Sequence, residues 1–434
     1  MFQLEKNNTT VKREVLAGIT TFLTMVYIII INPAILAQAG VPSDQVFIAT
    51  IISTVIGTLW MGLVANYPIA IAPGMGLNAF FTFSVVLASK GEISYMTAFA
   101  SVFVAGIIFV ILSLTPFREK LIDAIPNNLK YSITAGIGLF IAFLGLRSAG
   151  VIIASDDTNL ITLGDLTSPS VLLTFFGLLF TVILMVRRVP GAIFVGMLVT
   201  GIIAYFTGML HMPEKIIAAP HLPEGILMWN PIEAFGEIIE YSLYGVVFSF
   251  ILVTLFDTTG TMVGVAKQAG LLKEDGKLPR ARKALLGDSI ATTVGAMFGT
   301  SPNAAFVESS AGVAAGGRTG LTAVTVAVLF IVASLFGPLV GAVSGVAAIT
   351  SPVLVIVGAL MISSIKDVDW SSMDETLPVF LVMLIMPLTS SISTGIAFGF
   401  IAYPILKIAK GEWKKVHPLL YLFAILFIVQ LVFL

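Results

Sequence analysis

Two acidic residues of this 434-residue chain lie inside long apolar stretches. Asp257 stands in "LVTLFDTTGTMVGVA" and Glu308 in "SPNAAFVESSAG". A charged carboxylate at the centre of a membrane span costs at least about 2.5 kcal/mol, so such residues are by default functional rather than purely structural. Other ionisable residues, such as Arg147, Asp288 and Lys366, are near segment ends, where they can reach the interface. The two central carboxylates could accept hydrogen bonds from a bound molecule or carry a proton.

Three threonines flank Asp257 at helical spacing. Thr254, Asp257, Thr258 and Thr261 stand at i, i+3, i+4 and i+7, which places them on one face of a helix. Threonines in membrane helices commonly form hydrogen bonds between helices, and that is the alternative interpretation. A carboxylate within the stripe favours a binding surface, and we include Thr258 in it.

Composition places the chain among the polytopic membrane proteins. Hydrophobic residues make up 57% of the sequence and charged residues 11%, with a mean hydropathy of +1.03. A soluble domain has about 25% charged residues. The net charge of -1 gives no indication of a nucleic-acid partner. The lack of cysteine excludes disulfides, thiol catalysis and thiolate metal sites.

Apolar segments long enough to cross the bilayer follow one another along the chain. A window of about 20 residues, the length that crosses about 30 Å of hydrocarbon, finds fourteen segments between residues 15 and 410. With a cytoplasmic N-terminus, basic clusters such as 267–283 all fall inside, as expected for a plasma-membrane protein. The acidic stretch 366–375 also falls inside, which this rule does not predict. A last apolar segment, 417–434, could cross, re-enter or lie at the surface.

The two halves of the chain repeat a motif. "ISTVIGTLWMG" (52–62) resembles "IATTVGAMFG" (290–299), and each copy precedes a segment interrupted by Pro with Gly or Asn, at 67–81 and 300–312. Seven predicted spans precede a long outer loop and seven follow it, so the second half is inverted relative to the first. We therefore predict an all-α polytopic membrane fold of about fourteen transmembrane segments in two inverted repeats, with interrupted third and tenth spans.

The predicted organisation has five parts. They are a cytoplasmic N-terminus (1–14), a first seven-span repeat (15–210), an extracellular linker (211–239), a second seven-span repeat (240–410), and a C-terminal basic stretch with its apolar segment (411–434). Inverted repeats with interrupted helices are typical of secondary transporters, and the interruptions indicate where a binding site lies. A helix that begins near the midplane leaves backbone N–H groups free and presents a positive dipole end. Pro73 and Pro302 suit the first turns of such helices.

Four sequence motifs resemble a known family. "REVLAGITTFLTMVYIIIINP", "APGMGLNAFF", "LFDTTGTMVGVA" and "GTSPNAAFVESSAGVAAGGRTGLTA" closely resemble the AzgA-like purine permeases, which include guanine/hypoxanthine and adenine permeases, within the nucleobase-ascorbate transporter superfamily. The resemblance runs from about residue 10 to at least residue 410. It implies a core domain that holds the substrate, a gate domain against which the core moves, and proton-coupled uptake.

The resemblance also implies site residues. The binding positions of the family fall on Gly76 and Asn78 in the third span, Asp257 in the eighth and Glu308 in the tenth. Some relatives carry an acidic residue where this chain has Thr254, so the resemblance leaves open how many carboxylates share the proton in this chain.

The chemistry of these residues favours an oxopurine. Guanine offers two adjacent donors, N1–H and the 2-amino group, to a carboxylate, and hypoxanthine keeps N1–H. Adenine presents an acceptor at N1, so an adenine permease of the same family is the alternative. Asn78 can donate and accept beside a ring carbonyl, and Phe306 could stack on the ring, although packing is the commoner role of phenylalanine. We expect Glu308 to be the principal binding carboxylate and Asp257 the proton carrier, with shared or exchanged roles as the alternative.

Other function classes fit less well. A channel needs a continuous polar pore lining, an enzyme needs a nucleophile, base or metal constellation that is not visible, and an anion transporter of the same general fold would have its substrate repelled by two carboxylates. The three histidines, His211, His221 and His417, are too scattered for a metal site, so we expect no cofactor. The partners expected are the purine and the lipid bilayer. The preferred purine, H⁺ or Na⁺ coupling and a homodimeric state are left open.

Overall fold

The computed structural model describes residues 2–115, 124–155, 161–220, 231–241, 243–272 and 278–433, and most of them are helical. The first half of the chain contains the helices α1 (Val11–Met25), α2 (Ile28–Leu36), α3 (Ser43–Trp60), α4 (Met75–Ala79), α5 (Tyr95–Ser113), α6 (Asn127–Ser148), α7 (Pro169–Val186) and α8 (Ala192–Phe206). The second half contains α9 (Pro231–Glu240), α10 (Tyr244–Gln268), α11 (Ala281–Phe298), α12 (Ser309–Ala314), α13 (Gly320–Ala333), α14 (Gly337–Ser344), α15 (Ala347–Met361), α16 (Met373–Thr389), α17 (Ile392–Ala409) and α18 (Pro418–Phe433).

Helices of membrane-spanning length and composition run throughout the described residues. Eight helical segments qualify: Val11–Ala39, Ser43–Ala65, Tyr95–Ser113, Asn127–Ser148, Pro169–Val186, Gly320–Ser344, Ala347–Asp367 and Ile392–Ala409. Shorter apolar helices accompany them: Met75–Ser89, Ala192–Phe206, Tyr244–Leu255 and Pro418–Val432. Each of these coincides with an apolar segment predicted from the sequence, and the predicted all-α multi-span membrane fold is confirmed.

The two interrupted segments lie side by side. Strand β1 (Ile71–Pro73) pairs antiparallel with β4 (Asn303–Ala305), and every residue of both strands is buried. The N–H of Gly74 extends the pairing by donating to the carbonyl oxygen of Pro302 at 3.0 Å. A second pair, β2 (Ile152–Ala154) with β3 (Ile161–Leu163), lies between α6 and α7. The proline and glycine signals therefore mark two helix breaks that meet each other.

Threonine hydroxyls satisfy the free edges of the β1–β4 pair. A two-stranded sheet leaves one row of backbone groups on each strand without a strand partner, and such buried groups need hydrogen bonds. Thr58 of α3 bonds both the N–H and the carbonyl oxygen of Ile71 at 3.0 Å. Thr292 of α11 accepts from the N–H of Asn303 at 2.9 Å. Each edge is thus anchored by the helix that precedes it in the sequence.

The repeated sequence motif corresponds to a repeated packing arrangement. Gly57 and Gly295 are matched positions of the two copies. A Cβ atom at Gly57 would lie 2.8 Å from Ile71 Cγ2, and one at Gly295 would lie 2.8 Å from Asn303 Nδ2. Nonbonded atoms pack at about 3.5–4.0 Å, so neither position has room for a side chain. In each half, the glycine at the matched position of the motif lets a helix lie directly on the strand that follows it.

The helices pack in two groups. A strand-centred group surrounds β1 and β4 and contains α1, α3, α5, α10, α11, α12 and α13. A peripheral group contains α6, α7, α8, α15, α16 and α17. Both groups draw helices from both halves of the chain, so the predicted boundaries at residues 210 and 240 divide sequence repeats rather than packing units. The predicted linker (211–239) also contains most of α9, while residues 221–230 of it lie outside the described range.

An ionic cluster joins the start of α16 to the end of α17. Lys407 is 6% exposed, and its Nζ lies 2.6 Å from Asp374 Oδ2 and 2.6 Å from Glu375 Oε1. Lys410 Nζ lies 2.9 Å from Asp374 Oδ1. The positive-inside rule does not predict the acidic stretch 366–375 on the inner side of the membrane. Its last two acids, Asp374 and Glu375, are paired with lysines at the end of α17, which offset their charge.

The C-terminal helix α18 lies antiparallel along α17. Gln430, near the end of α18, donates from Nε2 to Ser393 Oγ, near the start of α17, at 3.0 Å. In the middle of both helices the rings of Phe427 and Phe400 are 5.6 Å apart. The segment 417–434, left undecided by the sequence, thus follows α17 back over most of its length.

Two acidic residues are more deeply buried than the sequence indicates. Asp288 of α11 is 0% exposed, so the expectation that it reaches the interface is wrong. Glu14 of α1 is also 0% exposed. Its carboxylate accepts from the N–H of Arg318 at 2.9 Å and from the hydroxyl of Thr322 at 2.6 Å, and so caps the start of α13.

Candidate functional site

Asp257 lies where α10 crosses the paired strands. α10 contacts β4, α12 and α4. A Cβ atom at Gly74, the residue before α4, would lie 3.1 Å from Asp257 Oδ2 and 3.4 Å from Ala304 Cβ. The Asp257 side chain is half-buried. Its carboxyl group therefore reaches the junction of both interrupted segments.

Glu308 is the residue that immediately precedes α12. It is half-buried, and its Oε1 accepts a hydrogen bond from the hydroxyl of Tyr27, which is 1% exposed. Thr24 Oγ1 lies 3.4 Å from the backbone carbonyl oxygen of Glu308, although its closest acceptor is the carbonyl oxygen of Thr21 at 2.8 Å. The first span thus contacts the backbone of Glu308 and donates a hydrogen bond to its carboxyl group.

Asp257 approaches the strand pair at Gly74 and Ala304, and Glu308 lies three residues beyond the end of β4. Two ionised carboxylates near one strand pair repel each other, and a proton or a hydrogen-bond donor between them relieves the repulsion. The structure thus brings together the two acids that the sequence singled out. It does so with one acid from a continuous helix and one from an interrupted segment.

Asn78 contributes a free amide group to the same region. It is fully buried in α4, and its Oδ1 accepts a hydrogen bond from the hydroxyl of Ser301. Within the described part of the chain its Nδ2 has no hydrogen-bond partner. Because Ser301 occupies the oxygen, the nitrogen is available as a donor.

The threonine stripe on α10 does not form the interhelical bonds of the alternative interpretation. Thr254 and Thr258 are buried, and among the described residues their hydroxyl oxygens have no hydrogen-bond partner. Buried polar groups without partners are costly in a stable fold. Two free hydroxyls beside Asp257 therefore favour a surface that is completed by something bound.

Gly76 and Phe306 occupy packed positions. A Cβ atom at Gly76 would lie 2.5 Å from Ile137 Cγ2, so this glycine allows α4 to approach α6. Phe306 is 5% exposed, and its N–H donates to the carbonyl oxygen of Ala70 at 3.0 Å. Gly76 lies at a helix contact and Phe306 at the end of the strand pair, and the predicted contact of both with a substrate stays a prediction.

Three residues that contact the candidate site residues were not found by sequence reasoning: Tyr27 at Glu308, Gly74 at Asp257 and Ser301 at Asn78. Tyr27 is a single hydroxyl group within the apolar run "VYIIII", Ser301 precedes Pro302, and Gly74 was read only as part of a helix break. An isolated tyrosine in an apolar span is the one usable signal among them, since a buried phenol needs a hydrogen-bond partner.

The fold and this site define a membrane transport protein. A pair of half-buried carboxylates, a free amide donor and free hydroxyls meet where two helices are interrupted inside a bundle of membrane-spanning helices. Non-helical backbone at such depth is tolerated where it lines a cavity or is buried in protein. Interrupted helices that meet in this way are typical of the binding region of secondary transporters, which makes this the candidate site.

The chain belongs to the Permease family, whose model matches residues 12–398. It is 64% identical over 431 residues to the guanine/hypoxanthine permease PbuO of Bacillus subtilis, covering 99% of each chain. It is 43% identical over 433 residues to the adenine permease AdeP of Escherichia coli, covering 100% of this chain and 95% of that protein. The resemblance to a family of permeases is confirmed, and the protein is a multi-pass membrane transporter.

The fold is similar to that of a solved transporter of low sequence identity. The transmembrane domain of the cyanobacterial bicarbonate transporter BicA superposes with a TM-score of 0.65 at 17% identity, covering 88% of this chain and 97% of that one. This likeness concerns the fold alone, and it confirms the predicted fold class.

Proposed function

We propose that this chain imports purine nucleobases across the plasma membrane by proton symport, with guanine and hypoxanthine as its preferred substrates. The observation that carries the proposal is the meeting of Asp257, Glu308 and Asn78 at the paired strands. Similarity to guanine/hypoxanthine permeases over nearly the whole chain supports the same substrate class.

The hydrogen-bond pattern of the site is complementary to an oxopurine. The carboxylate of Glu308 accepts from N1–H and, in guanine, from the 2-amino group as well. The free Nδ2 of Asn78 is a donor suited to the ring carbonyl oxygen. Thr258, with a free buried hydroxyl, completes the set on α10.

Coupling follows from the two neighbouring acids. Their mutual repulsion disfavours two charges in one water-poor site, so a proton on Asp257 allows Glu308 to be ionised and to bind the substrate donors. Release of the proton on the other side of the membrane restores the repulsion and weakens substrate binding. We assign substrate binding mainly to Glu308 and proton carriage mainly to Asp257, with exchange of these roles as the alternative. The strand-centred group acts as the core, and the peripheral group acts as the gate.

Competition for uptake tests the substrate class. Cells that express the chain take up labelled hypoxanthine while unlabelled guanine, adenine, xanthine or uracil is added. We expect strong competition by guanine and weak competition by adenine and uracil. Stronger competition by adenine would favour the adenine permease alternative, for which one relative at 43% identity is named. Lack of any purine uptake would refute the proposal.

Substitution of Glu308 tests the binding role. Glu308→Gln keeps the size of the side chain and one acceptor oxygen but replaces the other oxygen with a donor. We expect purine binding by the purified protein to fall at least about tenfold, the effect of losing a hydrogen bond to a charged group. Normal affinity in this variant would remove Glu308 from the site.

Substitution of Asp257 tests the coupling role. Uptake in membrane vesicles is measured with and without an imposed pH gradient. We expect the gradient to accelerate uptake by the wild type but not by Asp257→Asn, which retains exchange of substrate without net proton movement. A variant that is still fully driven by the pH gradient would exclude Asp257 as the proton carrier. If a Na⁺ gradient rather than the pH gradient accelerates uptake by the wild type, the coupling ion is Na⁺ and not H⁺.

A further inference from the structure

The helix of the first span has an irregular turn beside Glu308. α1 ends at Met25 and α2 begins at Ile28, and Tyr27 lies in the short turn between them. Its side chain is almost completely buried. The phenol reaches Glu308, which is 281 positions away in the sequence.

The helix that carries Tyr27 is held firmly against the segment that carries Glu308. α1 packs along α12, and a Cβ atom at Gly312 of α12 would lie 2.6 Å from the carbonyl oxygen of Ala17. Thr24 Oγ1, one turn before Tyr27, also lies 3.4 Å from the backbone carbonyl oxygen of Glu308. The phenol therefore approaches the carboxylate from a fixed position.

A carboxylate of glutamate does not fix its own orientation. Its last torsion angle is broad, because an sp³–sp² bond has no narrow rotamer wells. A hydrogen bond from a rigid donor can supply the missing constraint, and the hydroxyl of Tyr27 is such a donor at Oε1. A buried tyrosine needs some acceptor, but here the acceptor is a half-buried group of the candidate site.

We propose that Tyr27 is a positioning residue that orients the Glu308 carboxylate, and that the binding of purines with a single donor depends on it. This inference rests on the proposed function. Guanine presents two parallel donors, which align a carboxylate by themselves. Hypoxanthine presents N1–H alone on that edge and cannot do so. The hydroxyl of Tyr27 therefore contributes more to the binding of hypoxanthine than to that of guanine.

The test is equilibrium binding of guanine and hypoxanthine to purified full-length wild type and Tyr27→Phe. The variant keeps the ring and loses only the hydroxyl. Because a hydrogen bond to a charged group changes affinity by roughly a factor of ten, we expect the Kd of hypoxanthine to rise about tenfold and that of guanine less than about threefold. Unchanged affinities, or equal weakening of both ligands, would overturn the inference, since a general structural defect does not discriminate between them.

Tyr403→Phe is a matched control. Tyr403 is 9% exposed, and its hydroxyl donates to Glu375 Oε1 at 3.3 Å, in the ionic cluster of the peripheral group. Removal of this phenol also breaks a tyrosine–carboxylate bond, but away from the site. We expect it to leave the ratio of the guanine and hypoxanthine affinities unchanged, and a changed ratio would show that the effect is not specific to Tyr27.

A second measurement avoids any folding defect of Tyr27→Phe. 3-Fluorotyrosine is incorporated at position 27 or, separately, at position 403, and its fluorine resonance is followed while hypoxanthine is added. We expect the signal at position 27 to shift and the signal at position 403 to stay unchanged. A signal at position 27 that does not respond to a bound purine would overturn the inference. If the wild type binds neither purine, the proposed function fails instead.

Discussion

At single positions near the strand pair, the close approach of neighbouring groups determines which residue type fits. Gly74 and Gly76 stand two positions apart, yet they face different partners. Gly74 lies against Asp257 of α10, and Gly76 lies against Ile137 of α6. One glycine therefore sets the distance between α4 and the carboxyl group of Asp257, and the other sets the distance between two packed helices.

Replacement of Gly74 by alanine should impair transport directly. The added Cβ would lie 2.9 Å from Leu77 Cδ1 and 3.1 Å from Asp257 Oδ2, well inside the ordinary contact distance of about 3.5–4.0 Å. We expect Gly74→Ala to reduce hypoxanthine uptake at least about tenfold by displacing Asp257. Initial uptake rates are divided by the amount of protein in the membrane. Gly341→Ala, where no atom lies within 4 Å of the new Cβ, should behave as the wild type.

The two acids could be predicted from the sequence, but their surroundings could not. Charged groups are so costly inside a membrane that Asp257 and Glu308 stand out without any structural information. Tyr27 and Ser301 carry no such cost, because a hydroxyl is common in membrane helices. Their role depends on tertiary partners that are more than 200 positions away, and no local pattern encodes those partners.

At the scale of helices and strands, prolines and glycines indicate where two helices are interrupted. They do not indicate how the two interrupted segments pair with each other. The sequence predicts interruptions at 67–81 and 300–312, and the structure has β1 and β4 within them. Three-residue strands have no periodicity from which they could be recognised. Their antiparallel pairing also requires Thr58 and Thr292 from two other helices.

The joint between α16 and α17 should make stability depend on pH. Hydrogen bonds from Lys407 and Lys410 hold the pKa of Asp374 well below its usual range. A lowered pKa in the folded state contributes stability that is fully present above the unfolded value of about 3.9 and is lost as pH falls towards the folded value. We expect the thermal midpoint of the purified protein to fall below about pH 4. Asp374→Asn should lower the midpoint at pH 7 and flatten this dependence.

Asp44→Asn provides the comparison for that pH series, because Asp44 is exposed at the start of α3. Its midpoint should follow that of the wild type at every pH. If Asp374→Asn also follows the wild type throughout, the ionic cluster does not stabilise the fold.

Loss of the buried lysine should be more damaging than loss of an exposed one. Lys407→Met leaves Asp374 and Glu375 close together without their main counter-ion, and breaking a buried ion pair costs about 3–5 kcal/mol. Lys415→Met removes an ion pair with Glu412 whose lysine side chain is 70% exposed, and solvent screens this pair, so its loss should have little effect. Thermal unfolding of both variants in detergent measures the difference. Equal midpoints would contradict the assignment of Lys407 as the central residue of the cluster.

At the scale of the whole molecule, α18 links the two helix groups. Gln430 of α18 bonds Ser393 of α17, and Ser393 Oγ lies 2.6 Å from Ser249 Oγ of α10. Gly245 of α10 allows this approach, since a Cβ there would lie 3.2 Å from Gln430 Cδ. The helix that carries Asp257 is therefore joined directly to α17 of the peripheral group, and α18 packs against this junction. The sequence could not predict this link, because apolar composition alone does not decide between crossing and surface binding.

The antiparallel packing of α18 predicts on which side of the membrane this chain ends. Sixteen residues at about 1.5 Å each span about 24 Å, enough to cross a slightly thinned hydrocarbon layer. Because the chain has no cysteine, single cysteines report cleanly. A cysteine appended after Leu434 should react with an impermeant maleimide from the same side as Asp44→Cys, and Lys415→Cys should react from the side of Lys6→Cys. Reaction of the appended cysteine from the Lys415 side would place α18 along the surface or in a re-entrant turn, and the link from Gln430 to α10 could not then exist in the membrane.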